Sequence, residues 1–172
     1  MHSEQCYVYL LAFGSNLGDR AANLRRGRSF LAARGVFLKE NTPRATEPLP
    51  SNSHNTADHE HYLNSVAEYA SHFSPRELYE AIVEIENEVG HSRTRRWAPR
   101  ELDVDILFAG LAPTLETPFV NAVPIRYHGH CGLKIPHQGF WERDFLVDMV
   151  ANNLQIPLDV LQNHRTISSG VP

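Results

Sequence analysis

Asp103 and Asp105 alternate with apolar residues in the run Leu102-Asp103-Val104-Asp105-Ile106. In an extended strand this alternation sends Leu102, Val104 and Ile106 to one face and both carboxylates to the other, about 7 Å apart. Aspartate is a poor strand former, and like charges on one strand face repel. A divalent cation between the carboxylates removes that penalty. A few hard oxygen donors suit Mg2+, which completes its shell with water and substrate phosphates. The competing reading is a solvated strand face paired with arginines.

The segment before the aspartates sharpens the choice. Arg93, Arg95, Arg96 and Arg100 fall within eight residues with no acid among them, and Trp97 sits in their middle. Guanidinium groups grip phosphate in two places at once, and an indole stacks on a flat ring. A positive loop beside a carboxylate pair therefore reads as a magnesium-assisted nucleotide polyphosphate site. Such transfers run mostly on positioning and charge stabilisation, so no covalent nucleophile is required.

Other motifs carry less. A lone histidine such as His137, in Ile135-Pro136-His137, gains meaning only if the fold brings it to the aspartates. Gly14-Ser15-Asn16-Leu17-Gly18 lacks the Lys-Ser/Thr of a phosphate loop and the third glycine of a dinucleotide fingerprint, so it reads as a tight structural turn. His128-Gly129-His130-Cys131 offers three zinc-type donors with no matching partner cluster, which favours a structural or lid role.

The elements that must position these residues follow from pattern. Cys6 to Phe13 is apolar throughout, a strand buried on both faces. Arg20 to Arg34 is an expected helix, with Leu24, Phe30 and Leu31 inward and Gly35 at its end. Val36 to Thr46 and Tyr62 to His72 read as strands, and Glu47 to His61 as a long exposed loop. Ser74-Pro75-Arg76-Glu77 is a capping box opening a helix whose Leu78, Ile82, Ile85 and Val89 form one apolar stripe, closed by Gly90. His91 to Glu101 is loop and Leu102 to Phe108 strand. Gly110 to Ile135 reads as loop with one short strand, Phe140 to Asn153 as helix, and the last residues as a short helix and a frayed tail. The order strand, helix, strand, strand, helix, strand predicts an α+β fold with a ferredoxin-like core, a mostly antiparallel sheet with helices packed on one face.

At 172 residues the chain suits one domain, with the core at about 6–153. The formal net charge of -4 argues against a general nucleic-acid or membrane binder. Two cysteines, no signal-peptide pattern and no membrane-length apolar run point to a cytoplasmic protein. Arginine outnumbers lysine 14 to 2, which makes the local clustering before Asp103 the informative feature rather than the total.

Several motifs together resemble the 6-hydroxymethyl-7,8-dihydropterin pyrophosphokinase family. They are Gly14-Ser15-Asn16-Leu17-Gly18, Tyr62-Leu63-Asn64, Ile85-Glu86, Trp97-Ala98-Pro99-Arg100-Glu101-Leu102-Asp103-Val104-Asp105-Ile106, and Pro136-His137 followed by Arg143-Asp144-Phe145. The resemblance runs from about Cys6 to Asn153. It implies a ferredoxin-like core and transfer of diphosphate from ATP to the pterin hydroxymethyl group, with release of AMP. It implies two Mg2+ ions on Asp103 and Asp105, with Arg93 and Arg100 joining them as catalytic residues. It implies nucleotide contacts from Glu86, Arg93, Trp97, Arg100, Ile106, His137 and Arg143. For the pterin it implies aromatic walls from Tyr62 and Phe145, an amide from Asn64, and contacts at Thr46 and Leu49. The partners are then small molecules, with no nucleic acid and no membrane.

The chain departs from the family pattern at His91, Ala98 and Gln138, and the stretch from Gly110 to Ile135 is longer than usual. The alternatives are a divergent paralogue acting on a modified pterin or regulatory in role, and an RNA-binding ferredoxin-like module. Tyr7, Tyr9, Tyr62 and Tyr69 favour the last, and the acidic charge and paired aspartates oppose it.

Overall fold

The computed structural model describes residues 5–46, 61–90, 99–129 and 132–166. Its centre is β1 (Cys6–Ser15), flanked antiparallel by β4 (Tyr62–Ser71) and β5 (Asp103–Ala112). Beyond β4 lie β2 (Val36–Glu40) and β3 (Arg44–Thr46), both paired with it; beyond β5 lies β6 (Val123–Ile125). The sheet order is β2-β4-β1-β5-β6, and β7 (Tyr127–His128) pairs with β8 (Lys134–Ile135) separately. With α1 (Arg20–Ala32) after β1 and α2 (Pro75–Val89) after β4, this is the expected α+β, ferredoxin-like arrangement. No helix among the described residues is long and apolar enough to cross a membrane.

Alternate residues of β1 bury into two separate layers. Tyr9, Leu11 and Phe13 meet Leu24 and Leu31 of α1 and Leu78, Ile82 and Ile85 of α2. Val8, Leu10 and Ala12 meet a second cluster built on Phe108, Phe119, Phe140, Leu146, Met149, Val150 and Leu161. Helices on one face only would have left half of β1 wet. Instead α3 (Asp144–Asp148), the π-helical turn Met149–Asn153 and α4 (Leu158–Thr166) cover much of the second face.

The caps of α2 formed where the sequence placed them. Ser74 and Glu77 make the reciprocal box that opens α2, and Gly90 closes it at φ 119. Asp19 caps α1 by accepting from the Ala22 N–H at 2.9 Å.

Other expectations are corrected. α1 ends at Ala32, and Gly35 is not its cap: a Cβ there would sit 2.4 Å from the Ala70 carbonyl, so glycine lets the chain pass against β4. Phe30 does pack against the core as expected, partly buried and with the Arg34 guanidinium 3.5 Å over its ring. The expected strand over residues 36–46 is two strands: at Asn41 the side chain replaces one ladder bond, its Oδ1 accepting the Val66 N–H at 2.8 Å while its N–H donates to the Val66 carbonyl at 3.3 Å. The helix expected over 140–153 starts only at Asp144 and passes into the π-turn. The stretch 110–135 carries the end of β5, the 3-10 turn Phe119–Asn121 and three short strands. Its anchor is the buried Glu68, whose Oε1 accepts the Phe119 N–H at 2.5 Å.

In β5 the register against β1 shifts by one residue: Leu10 pairs with Phe108 but Leu11 with Ile106, leaving Leu107 as a bulge. The Leu107 carbonyl accepts the His137 N–H at 2.8 Å, which docks the Pro136-His137 segment against this strand.

Candidate active site

The open part of the second face lies where β1, β4 and β5 run past their apolar cover. Two rows of paired residues cross it: Asn64–Gly14–Asp103 and Val66–Ala12–Asp105. Directly paired residues share a face, so Asn64, Asp103 and Asp105 all project here. Gly14 keeps the middle of its row low. A Cβ there would lie 3.0 Å from Asn64 Oδ1 and 3.8 Å from the Tyr62 ring.

Both aspartates have cationic neighbours. An Arg100 guanidinium nitrogen donates to Asp103 Oδ1 at 2.6 Å, and Arg143 donates to Asp105 Oδ2 at 3.1 Å. His137 Nε2 stands 3.6 Å from the other oxygen of Asp105. The arginine-paired alternative is therefore partly realised, with Arg100 on Asp103 and Arg143 on Asp105. Burial first, and the Asp105 charge second, raise the Asp103 carboxyl above the usual carboxylate range, against the pull of Arg100 and Arg143. A cation bound between the carboxylates would relieve that. Among the described residues no three His, Cys, Asp or Glu side chains cluster as a closed metal cage. Two carboxylates with open positions fit Mg2+, which keeps water and phosphate in its shell.

The segment carrying Arg100 and Asp103 is pinned at three points. Leu102 is fully buried against α1, where Gly27 makes room: a Cβ on Gly27 would meet Leu102 at 2.9 Å. The buried carboxylate of Glu86 accepts the Val104 N–H at 2.9 Å. Asn16 holds the Arg100 backbone, its Oδ1 accepting the Arg100 N–H at 2.7 Å.

Beside the charged cluster is a flatter, more apolar pocket edge. Tyr62 is half-buried, and its phenol is pushed up by burial and then by Asp103, with Arg100 and Arg143 opposing. The Asn64 Nδ2 donates to Thr46 Oγ1, which fixes the amide plane. Phe145, on α3 two residues after Arg143, is half-buried against the second cluster. An ion pair of 3.0 Å between Arg44 and Asp148 ties β3 to the end of α3.

Among the sequence-predicted residues, pairings and hydrogen bonds bring Thr46, Tyr62, Asn64, Arg100, Asp103, Asp105, His137 and Arg143 to this region, and Phe145 packs against the apolar cover. Two others are placed elsewhere. Ile106 packs in the layer under α1 and α2, and Glu86 is spent on Val104, so neither side chain reaches the open face. Leu49, Arg93 and Trp97, with His91 and Ala98, lie outside the described residues. Sequence reasoning placed Leu102 on the packing face and missed Asn16 and Gly27 as supports. Asn16 had a signal, since a turn asparagine often bonds backbone at a distance; Gly27 in a polar helix had none.

The comparisons with known proteins agree with this picture. The family model described as 7,8-dihydro-6-hydroxymethylpterin-pyrophosphokinase matches residues 10–155. A folate synthesis bifunctional protein of Chlamydia trachomatis is 34% identical over 143 residues, covering 83% of this chain and 29% of that protein. A mitochondrial folate synthesis bifunctional protein of Pisum sativum is 28% identical over 150 residues, covering 87% of this chain and 26% of its own length. The 2-amino-4-hydroxy-6-hydroxymethyldihydropteridine pyrophosphokinase of Bacillus subtilis is 31% identical over 150 residues, covering 86% of this chain and 78% of that protein. The chain thus spans under a third of the two bifunctional relatives and most of the Bacillus protein.

Proposed function

The chain belongs to the 7,8-dihydro-6-hydroxymethylpterin-pyrophosphokinase family, and from that premise we propose that it transfers diphosphate from ATP to the hydroxymethyl group of 6-hydroxymethyl-7,8-dihydropterin, giving the pterin diphosphate and AMP. One observation carries the reading: the carboxylate pair with its cations shares a sheet face with Asn64, in rows that cross β1 at Gly14 and Ala12, with the Tyr62 ring beside Gly14.

Each residue has a part in the proposal. Asp103 and Asp105 hold two Mg2+ ions, which neutralise phosphate charge and polarise the β-phosphorus when bound. Arg100 and Arg143 already point guanidinium groups at this spot and take the polyphosphate oxygens. His137, held by its backbone on Leu107, adds a donor on the Asp105 side. Tyr62 and Phe145 bound the pterin ring. Asn64 spends its N–H on Thr46, so its Oδ1 is left to accept from the pterin edge. Arg93, Trp97 and Leu49 complete the nucleotide and pterin contacts, and Ile106 and Glu86 act by keeping β5 in place.

The test is direct. Purified protein with Mg2+, ATP and the dihydropterin alcohol should form AMP and the pterin diphosphate, and Asp103→Ala/Asp105→Ala should form neither. A native chain that binds the pterin but yields no AMP would sink the catalytic part and spare the pocket.

A further inference from the structure

The turn after β1 holds an asparagine that its surroundings do not need for packing alone. Asn16 is 2% exposed, and it commits both backbone and side chain to one residue of a distant segment. Its N–H donates to the Arg100 carbonyl at 3.1 Å, and its Oδ1 accepts the Arg100 N–H at 2.7 Å. The β1–β5 ladder ends at Gly14–Asp103. This double bond therefore continues the register past the strand ends, through the residue whose guanidinium lies 2.6 Å from Asp103.

The turn itself is built by other residues. Gly18 takes the positive φ of 67, Asp19 caps α1, and Asn23 Nδ2 donates to the Leu17 carbonyl at 2.9 Å. None of these requires an amide at position 16. The remaining polar end of Asn16, Nδ2, is buried with no hydrogen-bond partner among the described residues. Among these, only the acceptor of this side chain is in use.

We infer that Asn16 is a positioning residue for the diphosphate transfer: its acceptor oxygen clasps the Arg100 backbone and so fixes the guanidinium over Asp103. The inference rests on the proposed activity of this site. Arg100 has a long, flexible side chain, and its placement is only as good as the backbone that launches it. Loss of the clasp lets the Arg100–Asp103 pair wander, which costs transition-state geometry more than ground-state pterin binding.

The variants are Asn16→Ala and Asn16→Ser, each checked for a native melting transition. Asn16→Ala should lower kcat by about 100-fold with KM for the pterin alcohol within about twofold, and should raise the Mg2+ concentration needed for half-maximal rate. Asn16→Ser keeps a neutral acceptor on a shorter side chain, so it should recover at least about threefold of the lost kcat. Native kcat and Mg2+ dependence in Asn16→Ala would overturn the inference, as would equal losses in the Ala and Ser variants. If Asn16→Ala does not fold, Asn16→Ser decides alone: a loss of kcat at unchanged pterin KM supports the clasp, and an equal change in both overturns it. A native chain that forms no AMP defeats the functional reading instead. Equilibrium dialysis of a non-hydrolysable ATP analogue with Mg2+ then tests the clasp, which stands if Asn16→Ala binds about tenfold more weakly than native and falls if the two bind alike.

Discussion

The two faces of the sheet are built on different principles. Against α1 and α2, the sheet presents Tyr9, Leu11, Phe13, Val104 and Ile106 to a dry apolar layer. On the other face the same strands bury Val8, Leu10 and Phe108 toward one end and carry the buried amide of Asn64 beside the half-buried Asp103 and Asp105 toward the other. The first face is optimised for stability. The second keeps like charges together at a cost, as the raised Asp103 carboxyl attests. The difference teaches that residues of the open face should govern transfer with little loss of stability, and residues of the covered faces the reverse.

The sharpest break of that comparison is Asp103→Asn. Diphosphate transfer should fall by at least about 1000-fold, as for loss of a group that stabilises developing charge. The metal-free protein should be no less stable at pH 7, and more so if anything. The sign follows from linkage: a carboxyl whose folded pKa is raised favours the protonated form, so its ionisation costs stability above that pKa and the cost disappears as pH falls through it. Thermal melts without Mg2+, beside an AMP assay, check both halves.

Leu102→Ala should, unlike Asp103→Asn, cost stability. It removes a fully buried side chain wedged at Gly27 and should destabilise by about 2–5 kcal/mol. Chemical denaturation measures this, and a loss below about 1 kcal/mol would mean that α1 collapses into the space.

His164 sharpens the comparison within the covered half of the second face. It is 1% exposed and stacked on Phe119 at 4.7 Å, and burial lowers its pKa to about 4. The unfolded chain protonates near pH 6.5. Stability should therefore be undiminished above about pH 6.5 and fall progressively toward pH 4, by up to about 3 kcal/mol. His164→Phe should flatten that slope; an unchanged slope would assign the acid sensitivity to other groups. The smallest expected effect is Ser74→Ala, which should cost about 1 kcal/mol through the lost α2 cap and leave transfer rates untouched.

The first face was the more legible in the sequence. The stripe Leu78, Ile82, Ile85 and the box at Ser74 need only helical period and capping chemistry, and both formed as expected. The aspartate pair was legible because alternation is local. The cover of the second face was not. Phe140, Leu146 and Met149 have no clean period, since the chain there passes from turn to α-helix to π-turn. Residues such as Asn16 and Glu86 were read by type, and their partners at Arg100 and Val104 are 84 and 18 positions away. Spacing carries no trace of such contacts.

The bulge at Leu107 acts as a phase shifter for the active site. On β5, Ala109 lies in the layer under the helices and Phe108 in the opposite layer. Strict alternation from Ala109 would carry Leu107, Asp105 and Asp103 under the helices as well. Leu107 instead joins Phe108 on the second side, and every residue before it changes sides. Absorbing Leu107 as a bulge thus decides whether the carboxylates meet the open face or α1 and α2. A flat β5 that kept Leu107 in the ladder would point both aspartates into the dry layer, with every site residue still present in the chain.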